Sequence, residues 1–304
     1  MSEKLKPAVL VPAYRAVNVK QYEQVKITKS HGGRVATISW KTKNKKLNTL
    51  TIAITDELRS AVSEVGADES VHIVVFRGEG GNFFVGDDLI EMHEGMWGNP
   101  NQVMKRIRYY QDFAQSIEEM DKVTLAVVEG YVLGGGLETA MVCDFVLAGE
   151  SCQWGFPEVD NAMTPGWGGT TRMIRLIGRR RTKEICMIGA LHSAANGVEW
   201  GMFNQAVPDA QVDQEVEKFI QMMLVKNQQC LRQLKFVLNK NADADVATAL
   251  AFEAMNEVIT ASNNWRPETP KIPDAEPGVG LRAFAEKNEV WNRRRELALN
   301  FWSK

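Results

Sequence analysis

Three adjacent glycines stand in the stretch Gly130-Tyr131-Val132-Leu133-Gly134-Gly135-Gly136-Leu137-Glu138. Residues 123–129 before them have the pattern of a buried strand, and residues 137–142 can begin a helix directly after them. Glycines at such a junction adopt backbone angles closed to other residues and let a ligand approach the main chain. They also present unpaired N–H groups at the start of a helix, where a negatively charged oxygen is stabilised. A purely structural turn is the alternative interpretation.

The residues that follow the glycines indicate which kind of ligand this junction could bind. A phosphate-binding loop of the Walker type continues with Gly-Lys-Ser or Gly-Lys-Thr, whereas this chain continues with Leu137-Glu138. We therefore do not expect phosphate catalysis. A carboxylic acid one turn into the helix fits a site that stabilises an oxyanion and moves a proton. An acid that only interacts favourably with the helix dipole is the alternative for Glu138.

Strand and helix patterns alternate on both sides of this segment and predict a mixed α/β protein. Strands are predicted at residues 25–28, 35–40, 72–76, 123–129 and 145–148, and helices at residues 51–65, 101–120 and 170–188. From residue 212 onward the pattern is helical only, with apolar residues spaced by four at Val246, Leu250, Ala254 and Val258. These patterns predict an N-terminal extension over residues 1–22, an α/β core over residues 23–211 and a helical region over residues 212–304.

The composition argues against several classes of protein. The 304-residue chain is 44% hydrophobic and 24% charged with a net charge of −2, so neither nucleic acid nor an anionic membrane is an expected partner. No segment approaches the roughly 18 consecutive apolar residues of a membrane span. The N-terminus lacks the apolar stretch of a signal peptide, which predicts a cytoplasmic location. The four cysteines lack CxxC spacing and the four histidines lack ligand spacing, so we expect reduced thiols and no metal site.

Two further segments could carry chemistry. The first is the loop Asn82-Phe83-Phe84-Val85-Gly86-Asp87-Asp88-Leu89, in which Asp88 has the pattern of a loop-capping residue. The second is Trp154-Gly155-Phe156-Pro157-Glu158, followed by Pro165-Gly166-Trp167-Gly168-Gly169-Thr170. Aromatic and apolar surroundings would raise the pKa of Glu158 and suit it to proton transfer near neutral pH.

The order and spacing of these three segments resemble the crotonase (enoyl-CoA hydratase/isomerase) superfamily, from about residue 25 to residue 287. The resemblance implies an α/β crotonase fold, which is a spiral of ββα units with a C-terminal helical region that builds homotrimers, often paired into hexamers. It also implies an acyl-CoA substrate. No separate cofactor is expected, because coenzyme A is part of that substrate.

The resemblance also implies roles for individual residues. The family's oxyanion hole consists of two backbone N–H groups, which fall here on Asp87 and Gly135. Its two catalytic glutamates fall on Glu138 and, twenty residues later, on Glu158. Retention of both glutamates favours the addition of water to a conjugated C=C bond, with both carboxyl groups acting on one water molecule.

A CoA-binding segment is implied at Lys46-Leu47-Asn48-Thr49-Leu50, with Lys46, Asn48 and Leu50 as the contacting residues. The family's C-terminal phenylalanine and lysine, which reach toward CoA, fall on Phe284 and Lys287. In the family this lysine can serve the site of a neighbouring subunit.

The chain departs from the family pattern at Asp87, where the residue is usually small or apolar, and at Trp167, where hydratases often have a small residue. The Asp87 carboxylate would lie close to the thioester, where it would contact a polar acyl group or repel the oxyanion. Trp154, Phe156 and Trp167 are expected to line an acyl pocket reshaped for a cyclic or aromatic acyl chain.

The leading interpretation is therefore an enoyl-CoA hydratase that converts an α,β-unsaturated acyl-CoA to a 3-hydroxyacyl-CoA. A crotonase-type hydrolase, isomerase or hydratase-lyase acting on an unusual cyclic or aromatic acyl-CoA is the second. A non-catalytic homologue that binds RNA or assembles a complex is the third, and the retained pair Glu138 and Glu158 speaks against it.

Overall fold

A six-stranded sheet forms the centre of the computed structural model, which describes residues 21–95, 98–264, 289–299 and 301. The strands lie in the order β1-β2-β3-β4-β6-β9. β1 and β2 are antiparallel, and every other neighbouring pair is parallel. The strand bounds are β1 Val25–Ser30, β2 Val35–Trp40, β3 Ile73–Gly78, β4 Val123–Val128, β5 Tyr131–Leu133, β6 Phe145–Gly149, β7 Gln153–Gly155, β8 His192–Ser193 and β9 Gln205–Val207.

Helices connect the strands and cover the sheet. Their bounds are α1 Ile52–Ala67, α2 Leu89–Gly95, α3 Pro100–Glu118, α4 Gly135–Met141, α5 Gly169–Ile177, α6 Arg179–Ile188, α7 Ala194–Glu199, α8 Val212–Leu224, α9 Gln228–Asn241, α10 Val246–Asn264 and α11 Glu289–Leu299. Short 3-10 turns lie at His31–Gly33, Pro157–Asn161 and Asp209–Gln211. Side-chain caps fix several helix starts; Thr51 accepts a hydrogen bond from the Ile54 N–H at the start of α1, for example.

A second, smaller sheet contains β5, β7 and β8. The chain alternates between the two sheets: β4 in the large sheet is followed by β5 in the small one and then by α4, and β6 is followed by β7 and then by α5. An isolated parallel bridge between Phe84 and Val132 adds the segment after β3 to the small sheet. A strand of the large sheet, a strand of the small sheet and a helix thus form one repeat. The loop of each repeat lies beside the corresponding loop of the next repeat.

Period-two alternation in the parallel strands separates two apolar layers. Ala36, Ile38 and Phe76 lie in the larger cluster, which includes residues of α1, α3 and α4. Ile73, Val75 and Leu125 face the opposite way and pack with residues of α8, including Phe219. β4 is buried along its whole length, as expected for a central parallel strand covered on both faces.

The mixed α/β architecture predicted from the patterns is confirmed. The helical pattern over residues 170–188 contains two helices, because Gly178 between α5 and α6 has a φ of 80° that breaks the helical path. α8 begins at Val212, the predicted start of the helical region, but packs directly on the large sheet. The strands of the small sheet, which are only two or three residues long, were not predicted.

The apolar stripe spaced by four in α10 is largely exposed in the single chain. Val246 is 75% exposed, Leu250 58% and Val258 65%. Exposed apolar residues that recur along one helix are typical of a surface that another chain covers. Among the described residues, no helix is both long enough and apolar enough to cross a membrane.

Candidate active site

A cavity of about 980 Å³ opens where the loops after β3, β5 and β7 meet the side of α3. One part of its wall is polar and includes Asp87, Glu138 and Glu158. Another part is apolar and comes from the loop after β3 and from α2 and α3: Val85, Leu89, Ile90, Met92, Val103, Met104 and Ile107. A mostly apolar cavity with a few convergent polar groups is the usual form of a small-molecule site.

The two backbone N–H groups of the expected oxyanion hole, at Asp87 and Gly135, both belong to residues of the cavity wall. The two loops are held side by side because the Leu133 N–H donates to the Phe84 carbonyl at 2.9 Å. Neither N–H has a hydrogen-bond acceptor among the described residues. Both donors therefore remain available to an oxygen atom of a ligand.

The glycines at this junction are required by their backbone and by close contacts. Gly134 has φ 51° and ψ −127°, which a residue with a side chain does not adopt without strain. A Cβ on Gly135 would lie 2.8 Å from the Trp167 ring. The structure thus gives the triple glycine a packing role in addition to the expected exposure of N–H groups.

Glu138 lies in the first turn of α4 and is 2% exposed. Its Oε1 accepts hydrogen bonds from the Trp167 N–H at 2.7 Å and from the Gly169 N–H at 2.6 Å. Burial raises the pKa of Glu138 to about 8; the neighbouring Glu158 carboxylate acts in the same direction, and the two N–H donors oppose it. The carboxyl group is thus both fixed in place and able to exchange a proton near neutral pH.

Glu158 lies in the 3-10 turn Pro157–Asn161, and its carboxyl group lies beside Gly134 in the cavity wall. Its Oε1 is 3.0 Å from the position that a Cβ on Gly134 would occupy. Its Oε2 is buried without a hydrogen-bond partner among the described residues. Burial raises the pKa of Glu158 to about 7, and the nearby Asp87 carboxylate adds to the increase.

The side chain of Asp87 also lies in the cavity wall and is 16% exposed. The Nη2 of Arg106 on α3 lies 3.5 Å from its Oδ1. Burial raises the pKa of Asp87 to about 6, and the positive charge of Arg106 opposes that increase. Arg106 itself is 1% exposed and donates from Nε to the Tyr110 hydroxyl at 3.0 Å. The Tyr110 ring stacks on the Trp167 ring, with 3.8 Å between centroids.

In the expected CoA-binding segment, the side chains of Asn48 and Leu50 are buried in the protein and do not face the cavity. Asn48 is fully buried: its Nδ2 donates to the carbonyls of Glu79 and Asn82, and its Oδ1 accepts from the Thr42 N–H. Leu50 is also fully buried, and its N–H and carbonyl hold the loop of Asp87 through Gly86 and Asp88. Both side chains position the loop, so a contact of Asn48 or Leu50 with CoA stays a prediction that only their backbone atoms could fulfil.

Other residues in and near that segment remain accessible to a ligand. Lys46 is exposed, and Lys45 lies in the cavity wall with its Nζ 2.6 Å from Asp88 Oδ2. Asp88 caps α2 by accepting from the Ile90 and Glu91 N–H groups, which confirms its interpretation as a loop-capping residue. Phe284 and Lys287, the expected C-terminal CoA contacts, lie outside the described residues.

Of the three aromatic residues expected in the acyl pocket, only Trp167 lies in the cavity wall. Trp154 is fully buried in the small sheet, where its ring packs against His192, Trp200 and Phe203. Phe156 is also fully buried. The expectation that Trp154 and Phe156 line the pocket is corrected, because both side chains point into the core behind it.

The sequence patterns did not identify the residues of α3 that form the site. The apolar periodicity predicts only a helix over residues 101–120 and does not single out Met104, Arg106 or Ile107 as site residues. The one signal available was an arginine four residues before a tyrosine on an amphipathic helix, which aligns the two side chains. Among the described residues, no group of histidine, cysteine and acidic side chains could hold a metal ion.

The fold and this cavity define the class of the chain as an α/β protein of the crotonase fold. A sequence model of the enoyl-CoA hydratase/isomerase family matches residues 32–294, so the chain belongs to that family. The crotonyl-CoA hydratase of Syntrophomonas wolfei is 31% identical over 217 residues, which cover 69% of this chain and 80% of that protein.

Two other comparisons agree with this assignment. A probable mitochondrial enoyl-CoA hydratase of Dictyostelium discoideum is 29% identical over 266 residues, covering 86% of this chain and 89% of that protein. The crystal structure of an enoyl-CoA hydratase from Bacillus anthracis superposes with a TM-score of 0.76 at 26% identity, covering 88% of this chain and 97% of that one. Since one of these relatives is named as mitochondrial, the cytoplasmic location stays a prediction.

Proposed function

We propose that this chain is an enoyl-CoA hydratase that adds water to an α,β-unsaturated acyl-CoA and forms the 3-hydroxyacyl-CoA. The observation that carries the proposal is the presence in one cavity of two glutamates and two unpaired N–H groups: Glu138, Glu158 and the N–H groups of Asp87 and Gly135. Family membership supports an acyl-CoA as the substrate. A separate cofactor is not part of the proposal.

In this proposal the thioester oxygen accepts hydrogen bonds from the Asp87 and Gly135 N–H groups. Negative charge moves onto that oxygen as water attacks Cβ, and the two donors stabilise the enolate-like transition state. Loss of one such donor typically raises the barrier by about 3–4 kcal/mol. The apolar wall formed by α2 and α3 would hold the acyl chain beside these donors.

The two glutamates hold the water between them and divide the proton transfers. Water oxygen bonds to Cβ while Glu138 takes one proton from it as a carboxylate, and Glu158 delivers a proton to Cα as the C=C π bond is lost. The Trp167 and Gly169 N–H groups favour the carboxylate form of Glu138. Since the pKa values of both glutamates are raised by burial, the pair keeps a proton at neutral pH.

Burial raises the pKa of both glutamates, so the opposite assignment, with Glu138 as the acid and Glu158 as the base, is tested beside this one. Exchange of the Cα protons of saturated butyryl-CoA with D2O distinguishes the two assignments, because only the group that acts at Cα is needed for it. We expect Glu158→Gln to abolish this exchange and Glu138→Gln to retain it. Loss of exchange in Glu138→Gln alone would reverse the roles.

Turnover of crotonyl-CoA by the same two variants tests the proposed function itself. We expect each variant to lose turnover by at least about 100-fold, since removal of a positioned acid or base typically costs 10²–10⁴-fold. Binding of butyryl-CoA, measured by calorimetry, should remain close to that of the unsubstituted protein. Near-normal turnover of both variants on every enoyl-CoA tested would contradict the assignment of Glu138 and Glu158.

A crotonase-type hydrolase, isomerase or hydratase-lyase is the second candidate, and the Asp87 carboxylate in the cavity wall favours keeping it. Mass spectrometry of the products from linear, cyclic and aromatic acyl-CoAs separates the reactions. A gain of one water with the thioester intact indicates hydration, loss of CoA indicates hydrolysis, an unchanged mass with a moved double bond indicates isomerisation, and a shortened chain indicates cleavage.

We also propose that the chain forms a homotrimer, alone or paired into a hexamer, and that the exposed apolar residues of α10 lie in a subunit interface. The exposed Lys46 and the cavity-lining Lys45 are proposed to lie near the phosphates of CoA. Phe284 and Lys287 remain proposed CoA contacts from the family resemblance.

A further inference from the structure

The Asp87 side chain gives the cavity a carboxylate that neither the water-activating pair nor the oxyanion hole uses. Only the backbone N–H of Asp87 belongs to the proposed oxyanion hole, whereas its carboxyl group lies in the cavity wall. The side chain is 16% exposed; the Tyr110 hydroxyl hydrogen-bonds to the carboxyl group, but Oδ1 is buried without a hydrogen bond of its own among the described residues. Buried polar atoms without partners are rare in folded proteins and call for an explanation.

Arg106 explains how this carboxylate is tolerated. Arg106 is 1% exposed, and its Nη2 lies 3.5 Å from a carboxylate oxygen of Asp87 and 3.5 Å from one of Glu91. The guanidinium charge and the carboxylate charges therefore compensate each other within the protein. At 3.5 Å, however, its Nη2 is too far from Asp87 Oδ1 for a short charge-assisted hydrogen bond. Its Nε donates to Tyr110 instead. Asp87 therefore has charge compensation from Arg106 and a hydrogen bond with Tyr110, and the remaining lone pairs of its carboxyl group can accept from a ligand.

Several residues around Asp87 in the cavity are apolar, so its acceptor capacity indicates what kind of acyl chain the cavity favours. Leu89 and Ile90 follow it in the chain, and Val103 and Ile107 face the same cavity from α3. An acyl chain made only of carbon and hydrogen would desolvate the carboxylate without giving it a donor, which is costly. A hydrogen-bond donor on the acyl chain would satisfy it.

The position of Asp87 also limits where such a donor sits. The same residue would hold the thioester oxygen through its N–H group, and its carboxyl group is only two carbons further along the side chain. The carboxylate therefore reaches acyl atoms close to the carbonyl, and not the far end of a long chain.

We infer that Asp87, positioned by Arg106, is a specificity residue that selects enoyl-CoA substrates with a hydroxyl group within a few carbons of the thioester and disfavours those with a carboxylate there. The inference rests on the proposed hydratase function. It assigns Arg106 no contact with the substrate: Arg106 acts through Asp87. A hydrogen bond to a charged acceptor contributes about 10- to 100-fold in selectivity.

The test compares kcat/KM for 4-hydroxybut-2-enoyl-CoA, crotonyl-CoA and glutaconyl-CoA. We expect the unsubstituted protein to prefer the hydroxylated substrate over crotonyl-CoA by about 10-fold or more and to use glutaconyl-CoA least. Asp87→Ala removes the carboxyl group and keeps the backbone N–H, so it should bring the first ratio close to one; this ratio compares two substrates of the same variant and does not depend on its absolute rate. An unchanged ratio in Asp87→Ala would overturn the inference.

A double-mutant cycle tests the positioning role of Arg106. Arg106→Met should lower the ratio in the presence of Asp87 and leave it unchanged in the Asp87→Ala background, whereas Arg106→Lys should restore part of it. Glu91→Gln is the matched control, because it removes the other carboxylate near Arg106 and should leave the ratio intact. An equal effect of Arg106→Met in both backgrounds would mean that Arg106 does not act through Asp87.

Binding separates failure of this inference from failure of the hydratase proposal. Calorimetry with the saturated 4-hydroxybutyryl-CoA and butyryl-CoA measures the same preference without turnover. If no enoyl-CoA is hydrated but the protein still binds the hydroxylated compound more tightly and Asp87→Ala abolishes that difference, the specificity role stands and the hydratase proposal fails. Equal affinities in the unsubstituted protein would overturn the specificity role. If Arg106→Met does not fold, Asp87→Ala and Asp87→Asn still decide the outcome.

Discussion

The Glu138 carboxyl group is held in position by hydrogen bonds, but burial disfavours its ionised form. Its carboxyl group accepts two short hydrogen bonds from the Trp167 and Gly169 N–H groups, and yet burial raises its pKa to about 8. A carboxyl group whose pKa is higher in the folded than in the unfolded chain binds more protons when folded. Its contribution to stability is therefore present below the unfolded value of about 4.5 and is lost as the pH rises through about 8.

Glu138→Gln should consequently stabilise the protein at alkaline pH. The amide oxygen of glutamine can accept the same two N–H donors, and it carries no charge to desolvate. We expect the Tm of the variant to exceed that of the unsubstituted protein by at least about 2 °C at pH 8.5, and the difference to shrink at pH 5. Thermal unfolding at the two pH values checks this, and a variant equally or less stable at pH 8.5 would contradict the role of burial.

Two requirements apply at position 135, and only glycine satisfies both. Its N–H group is one of the proposed oxyanion donors, and its Cα lies against the Trp167 ring. The Trp167 backbone in turn holds Glu138. A methyl group at this position would displace the ring and with it the Glu138 carboxyl group.

Gly135→Ala should therefore lower kcat by at least about 100-fold, as expected for a disturbed oxyanion hole, while the fold is retained. Gly66→Ala in α1 is the matched control, because a Cβ there would be 3.9 Å from the Met120 side chain, an ordinary contact. Steady-state kinetics and thermal unfolding of both variants make the comparison. Comparable kcat values for the two would show that the contact with Trp167 does not limit the site.

At the scale of elements, the loop after β2 holds the Asp87 loop after β3 in position by hydrogen bonds. Asn48 joins Thr42, Glu79 and Asn82 through its side chain. Its carbonyl accepts from the Val85 N–H at 2.9 Å. The motif that resembles a CoA-binding segment thus positions the loop that carries the Asp87 N–H, the proposed oxyanion donor.

Asn48→Ala should remove three side-chain hydrogen bonds and leave buried backbone groups unsatisfied, which costs about 2–3 kcal/mol. We expect a fall in Tm of about 3–5 °C together with a lower kcat. Lys46→Ala changes an exposed residue of the same segment and should leave the Tm unchanged while raising KM for the CoA substrate. If Asn48→Ala raises KM alone at an unchanged Tm, the sequence-based role in CoA binding is the correct one.

α3 contributes both an apolar face and a buried arginine to the site, and it contacts a loop that is separated from it in the sequence. The apolar face of this helix lines the cavity with Val103 and Ile107, whereas Arg106 and Tyr110 lie one turn apart beside it. Its periodicity was sufficient to predict a helix over residues 101–120 but not to predict which neighbour it meets. That neighbour, the Asp87 loop, depends on the register of β3 and on the bridge between Phe84 and Val132.

At the scale of the whole molecule, the exposed stripe of α10 is the feature that a single chain leaves unexplained. Val246, Leu250 and Val258 expose most of their surface, and α10 packs on α9 through its other side. Leu250→Glu would place a charge in a buried interface if this surface is covered by another subunit. We expect multi-angle light scattering to report a trimer or hexamer for the unsubstituted protein and smaller species for Leu250→Glu.

The exposed Glu69 lies in the turn after α1, and Glu69→Gln is a control for a change of one unit charge on the surface, of opposite sign, that should leave the mass of the assembly intact. A monomeric unsubstituted protein, or the same assembly for both variants, would contradict an interface at α10. Retention of assembly with loss of activity in Leu250→Glu would instead indicate a local effect on the helix.

The sequence by itself determined the α/β pattern, the Gly134–Gly136 junction and the two candidate glutamates. These features depend on local periodicity and on backbone angles that glycine alone adopts, and both are encoded within a few residues. The resemblance built on them led to the family that the comparisons confirm. The assignment of Trp154 and Phe156 to the pocket failed because neighbours in the chain do not reveal which side of a short strand faces a cavity.

Only the tertiary structure decided which groups meet at the site. The Trp167 N–H reaches Glu138 across 29 residues of sequence, and Asn48 holds Asn82 across 34. Asp87 and Arg106 meet because two loops and a helix converge on one cavity wall. The burial that raises the pKa values of Glu138 and Glu158 likewise arises only when distant segments pack together and exclude water.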